Sequence, residues 1–210
     1  MAAAKAVAVI RGNASLVPPS LSAPLTSPPS TINMDTTTLL SSSSSSEIVS
    51  SSIPITNHTH HNIHGIIRFQ QPIQQSESLT RISGRITGLT PGKHGLHIVI
   101  YGDESDPQYR AMGGIYNPYS KPHSDRVVED DRAIGALGNI EANQDGIAIF
   151  DFYDNYVKLI GPLSVLGRSI VIKQHEDDGG KGSSNDSLID GNSGAIIAAG
   201  VIGISAIPIL

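Results

Sequence analysis

The sequence predicts an all-β domain, a sandwich or barrel of short strands, interrupted near its start by a long low-complexity insertion. Three observations carry that reading. From residue 62 onward, short runs with period-2 alternation or β-branched enrichment recur between Gly, Asn and Asp punctuation. No window has a convincing 3.6-residue period, so helices are marginal. Of 21 glycines only Gly12 precedes residue 62, which places nearly all the tight turns in the later part of the chain.

The first element is "KAVAVIRGN", in which Ala and Val alternate as a half-buried strand requires. Its apolar run Ala6–Ile10 is too short for a secretory leader, and no small-residue cleavage site follows it. Residues 14–61 then hold 14 Ser, 7 Thr and 6 Pro in 48 positions, with Asp35 and Glu47 as the only formal charges. Such a segment buries too little apolar surface to offset its ordering entropy and is expected to be disordered. It is either a loop excursion at a hairpin tip, tolerated because closure entropy grows slowly with length, or material that the working protein lacks. Strands are expected at 66–70, 79–89, 97–102, 147–152, 169–175 and 195–203. The domain plan is thus residues 1–13 as first strand, 14–61 as insertion and 62–210 as the remainder of one β-domain.

Charge and composition exclude several functions. With 14 Lys+Arg against 19 Asp+Glu the net charge is -5, and no stretch of sequence concentrates Lys or Arg, so no nucleic-acid partner is expected. The chain has no cysteine, which removes disulfides, thiolate zinc sites, iron–sulfur clusters and any cysteine nucleophile. The uncharged stretch Gly194–Leu210 is shorter than a membrane span and carries Gly200, Gly203 and Pro208; it reads as a buried terminal strand, and no membrane association is expected.

A set of motifs adds to this: "KAVAVIRGN", "RITGLTPGKHGLHI", "YGD", "YNP", "GALGNIEANQDGIA", "VLGRSIVI", "EDDGGKG" and "GNSGAIIAAGVIG". In this order and spacing they resemble the copper/zinc superoxide dismutase family, most closely its plant forms. The resemblance implies an eight-stranded Greek-key β-sandwich or barrel of immunoglobulin-like architecture. "GIIRFQQ" and "GGIYNPYS" give a weaker resemblance to the dismutase-like domain of the copper chaperone for that enzyme, whose cysteine-bearing head is absent here.

Carried over residue by residue, the resemblance implies copper and zinc as cofactors but leaves few of their ligands. His97 keeps the first copper position, whereas Val99, Ile115 and Lys173 stand at the other three. His123 keeps one zinc position, while Ala133 and Ala136 occupy the places of a histidine and an aspartate. Asp177 matches the aspartate that supports both sites, and His94 matches a structural histidine nearby. Ile196 replaces the arginine that draws in the superoxide anion. Ala199 stands in one of the two disulfide positions, and the loop "DESDPQYRAMGG" covers the other. Copper and zinc are therefore not expected at the family site, with two of seven ligand positions retained.

Outside the family pattern, "NHTHHNIH" places His58, His60, His61 and His64 within seven residues, an alternative cluster able to bind copper or zinc. Three functions follow as expectations. A domain without dismutase turnover, acting through its surface as a homodimer or a mixed dimer with an intact relative, agrees best with the lost ligands. An active dismutase and a copper-delivery protein using the His-rich segment are the alternatives. The chain's start at the first strand implies the cytoplasm, with the chloroplast as second choice.

Overall fold

The computed structural model describes residues 3–12, 62–73, 79–126 and 131–206. The insertion 14–61, and with it His58, His60 and His61, lies outside the described residues. Nine strands form one antiparallel sheet: β1 (Ala3–Gly12), β2 (His64–Pro72), β3 (Thr80–Thr87), β4 (Gly92–Val99), β5 (Ala136–Ala142), β6 (Ala148–Asp154), β7 (Ser169–Lys173), β8 (Ile196–Val201) and β9 (Gly203–Ile204). Their order is β2-β3-β6-β5-β4-β7-β8-β1-β9, and β1 also pairs with β2, so the sheet closes on itself. The links from β3 to β4 and from β6 to β7 skip over neighbours, as Greek-key connections do. The expected eight-stranded Greek-key barrel is therefore observed. β8 and β9 are one expected strand broken at Ile202, which exchanges backbone bonds with Gly167 and Arg168 (2.9 and 2.8 Å).

Alternation builds the interior. From β1 come Ala6, Ala8 and Ile10, from β2 Ile67 and Phe69, and from β3 Ile82 and Ile86, all buried. Each large apolar side chain so buried is worth roughly 1.5–3 kcal/mol of transfer free energy. On β4, β7 and β8 both faces are covered. Leu96, Ile98, Ile170 and Ile172 point into the barrel, while Val99, Val171 and Ala199 join Met112 in a second, smaller core under the loops. That second core includes Ala199, one position of the family's disulfide, with Tyr109 packed against it and the Tyr109 hydroxyl donating to the Arg11 carbonyl (3.0 Å).

Two expectations need correction. The strand expected at 97–102 runs from Gly92 to Val99 and ends at a bend at Ile100, beyond which Gly102 lies so close to the next segment that a Cβ would meet the Gly167 carbonyl oxygen at 2.3 Å. β5 was not expected as a strand. Gly138 has φ 74°, and the β4–β5 register shifts between Gly95 and His97. A bulge of this kind breaks the alternation by which strands are read. Among the described residues one short α-helix, α1 (Asn185–Asp190), is capped by the Ser184 hydroxyl, which accepts from the Ser187 amide (3.1 Å).

The turn before β5 is held by a buried ion pair. Arg132 and Asp154 meet at the barrel wall with both side chains almost fully enclosed. The guanidinium also donates to the carbonyls of Ala133 (3.1 Å) and Ala136 (2.9 Å). Asp154 in turn accepts from the amides of Tyr156 and Val157, both at 2.9 Å.

Candidate metal centre

On the outer side of β4, beneath the loops, one carboxylate clamps two imidazoles. Asp177 Oδ2 lies 2.7 Å from His97 Nε2, and its Oδ1 lies 2.7 Å from His123 Nε2. All three side chains are buried, and the two rings meet edge to face with centroids 5.7 Å apart. The Gly179 amide adds a third bond to Asp177 Oδ1 (2.8 Å). A carboxylate only accepts, so both histidines donate from Nε2, and in a neutral imidazole so bonded Nδ1 is the nitrogen that carries the lone pair. His123 Nδ1 is buried with no hydrogen-bond partner. This is how ligating histidines are ordinarily oriented, with one nitrogen on a carboxylate and the other left for a metal.

Burial is the largest influence on His97 and lowers its pKa, against the opposing pull of the Asp177 hydrogen bond. For Asp177 burial acts to raise the pKa, but bonds from His123, His97 and Gly179 together outweigh it and hold the carboxyl far below its usual range.

The remaining positions implied by the resemblance are gathered too, with different chemistry. Val99, Ile115, Lys173 and Ile196 line a cavity of about 120 Å³ beside His97. The Lys173 ammonium in that cavity donates to Asp190 Oδ2 on α1 (3.0 Å). Ala133 and Ala136 are buried in the turn that Arg132 holds. His94 stands apart as a strut: its Nδ1 bonds the Lys173 carbonyl and its Nε2 the Thr90 carbonyl, both at 2.9 Å. His64 begins β2 exposed, with Nδ1 on the Asn62 carbonyl (2.8 Å) and Nε2 on the Thr87 hydroxyl (3.1 Å).

Three supporting residues escaped the sequence reading. Asn139 on β5 grips the Asp177 backbone at both ends, each bond 2.8 Å. Gly191, at φ 69°, closes α1 directly over the clamp; a Cβ there would fall 1.8 Å from Asp177 Oδ1. Asp190 supplies the partner that a buried lysine needs. The one signal available for it was electrostatic: Lys173 on a buried strand demands a nearby acid.

The metal fit follows from the donors. Among the described residues, His97, His123 and Asp177 are the one group of at least three whose ligand atoms lie within 4.8 Å of one another, and it offers only two imidazoles. Copper favours several imidazoles and structural zinc four tetrahedral donors. Valine, isoleucine and alanine supply none, so the donors present do not fit either family site.

A closed Greek-key barrel with two buried, loop-covered histidines clamped on one aspartate is the class of architecture that this fold and site define. A family model described as copper/zinc superoxide dismutase matches residues 63–202. The chain belongs to the copper/zinc superoxide dismutase family. It is similar to a Cu-Zn superoxide dismutase of Onchocerca volvulus, 46% identical over 148 residues that cover 69% of this chain and 90% of the relative. An extracellular Cu-Zn superoxide dismutase of Brugia pahangi is 42% identical over 160 residues, 75% of this chain and 77% of the relative. An extracellular form from Onchocerca volvulus is 44% identical over 151 residues, 69% and 72% of the two chains. The extracellular names overturn the expected cytoplasmic location and its chloroplast alternative. That expectation rested on where the sequence begins, which carries no information on what directs the protein.

Proposed function

We propose that the chain is a dismutase-family protein in which copper and zinc no longer occupy the family site, and which acts as a binding and dimerisation module rather than by turning over superoxide. The observation that carries this reading is Lys173. At a copper position it puts a cation bonded to Asp190, and a fixed positive charge beside His97 repels a copper ion instead of binding it. Val99, Ile115 and Ile196 complete an apolar lining where the enzyme needs imidazoles and an anion-attracting arginine.

The segments that the resemblance assigns to the dimer contact stand side by side, with Gly167 and Arg168 bonded to Ile202. Beside them Ile204 is 83% exposed, an apolar residue suited to a partner. A homodimer, or a mixed dimer with an intact relative, therefore forms part of the proposal. So does work outside the cell, supported by the names of the extracellular relatives.

The deciding experiment is copper and zinc content per chain by elemental mass spectrometry, after loading with both metals and washing, together with a superoxide-removal assay. Metal well below one equivalent and no activity are expected. Stoichiometric copper with rapid superoxide removal would establish an active dismutase instead.

A further inference from the structure

The outer face of β1, β2, β3 and β6 collects charge that is scattered along the sequence. Across the four strands the register aligns Val9, Ile66, Arg85 and Ile149 in one outward row. The next row on one side holds Arg11, opposite His64; the next on the other side holds Arg68, opposite Val7. Reading the sequence linearly finds no basic concentration, because these arginines come from three separate strands. Together they line a groove of about 900 Å³.

Two properties make this face unusual for the molecule. Arg81 is paired with Asp151 (Nε to Oδ1 2.9 Å), whereas Arg11, Arg68 and Arg85 have no side-chain hydrogen bond or ion pair among the described residues. They bring three positive charges to one face of a chain whose net charge is -5. Between them lie Val9, Ile66 and Ile149, the last 73% exposed, so apolar surface and positive charge share one patch. An apolar patch rimmed by charge is the usual mark of an interaction site.

We propose that this groove docks an extended acidic peptide segment of a partner protein, its carboxylates on Arg11, Arg68 and Arg85 and its apolar side chains on Val9, Ile66 and Ile149. Guanidinium groups pair carboxylates in bidentate fashion, which suits the cations present. β1, β2 and β3 have neighbours on both edges, and β6 pairs with β3 along its length and with β5 at Ala148, so a ligand lying on the outer face of these strands is recognised through side chains. A sulfated glycan would satisfy the arginines but offer nothing to the isoleucines.

The test is fluorescence anisotropy on the full chain with a labelled peptide of about ten residues in which Glu and Leu take turns at every second position with Ser between them, so that both types share one face of the extended chain, long enough at ~3.3 Å per residue to cross the groove. Micromolar binding is expected, weakened at least about tenfold by the double variant R68E/R85E and severalfold by Ile149→Ser, with an all-Glu peptide bound less well. These positions lie on the outer face, and circular dichroism checks that both variants fold; the Ile149 variant keeps the test sound if charge reversal does not. Undiminished binding by both variants would overturn the proposal. So would heparin or single-stranded DNA binding more tightly than the peptide through the same arginines, since that identifies a polyanion site.

Discussion

Asp177 holds two imidazoles with a single carboxylate, and burial decides what that arrangement does with protons. Folded His97 has a pKa below the usual 6.5, chiefly because burial disfavours its charged form. As pH falls through 6.5 the unfolded chain therefore takes up a proton at this residue that the folded chain refuses, and stability drops. Asp177 acts in the same direction lower down. Its carboxyl stays ionised in the fold while the unfolded one protonates around 3.8, so a second loss begins there. Urea denaturation between about pH 7.5 and 5.5 should show a falling midpoint, and the fall should shrink in His97→Gln, which keeps a donor to Asp177 but does not titrate. An unchanged pH dependence in the variant would mean that His97 is not the group responsible.

At the scale of elements, the turn before β5 depends on one buried pair. Removing one partner leaves an uncompensated charge in the barrel wall, so Arg132→Ala or Asp154→Ala should cost about 3–5 kcal/mol by denaturant titration. A loss below about 1 kcal/mol would show that solvent reaches the site, as it does for surface pairs. The same region explains what sequence could not reveal. β1, β2 and β3 were legible because one face is buried and one wet, so Ala6, Ala8 and Ile10 alternate with exposed neighbours. β5 was not, since Gly138 and Asn139 serve the bulge and the Asp177 backbone rather than the pleat. In the site, the family spacing singled out His97, His123 and Asp177, and in the structure the two imidazoles contact that one carboxylate. The Lys173–Asp190 pair was not, because nothing in residues 174–189 fixes which acid turns back toward β7.

At the scale of the whole molecule, the exposed end of the β8–β9 segment sets the expected assembly. Size-exclusion chromatography with light scattering should give a dimer, and Ile204→Asp should shift it to monomer by placing a charge in an apolar contact. A wild-type monomer at high concentration would sink that part of the proposal. The barrel is closed by β1, whose ladder to β2 runs unbroken from Ala3 opposite Pro72 to Arg11 opposite His64. Between those strands the sequence runs through residues 13–63, where most hairpins use a few. Closing so long a loop costs only about 2 kcal/mol more than a four-residue one. The kinetic consequence is larger. A two-residue turn presents a strand to its neighbour almost as part of it, and every residue added between two strands lowers the effective concentration at which they meet. The molecule's own first strand thus competes on modest terms with the same strand from another copy. Refolding at high protein concentration is where strand exchange between chains should set in, with intertwined dimers that dilution of the folded product does not readily undo.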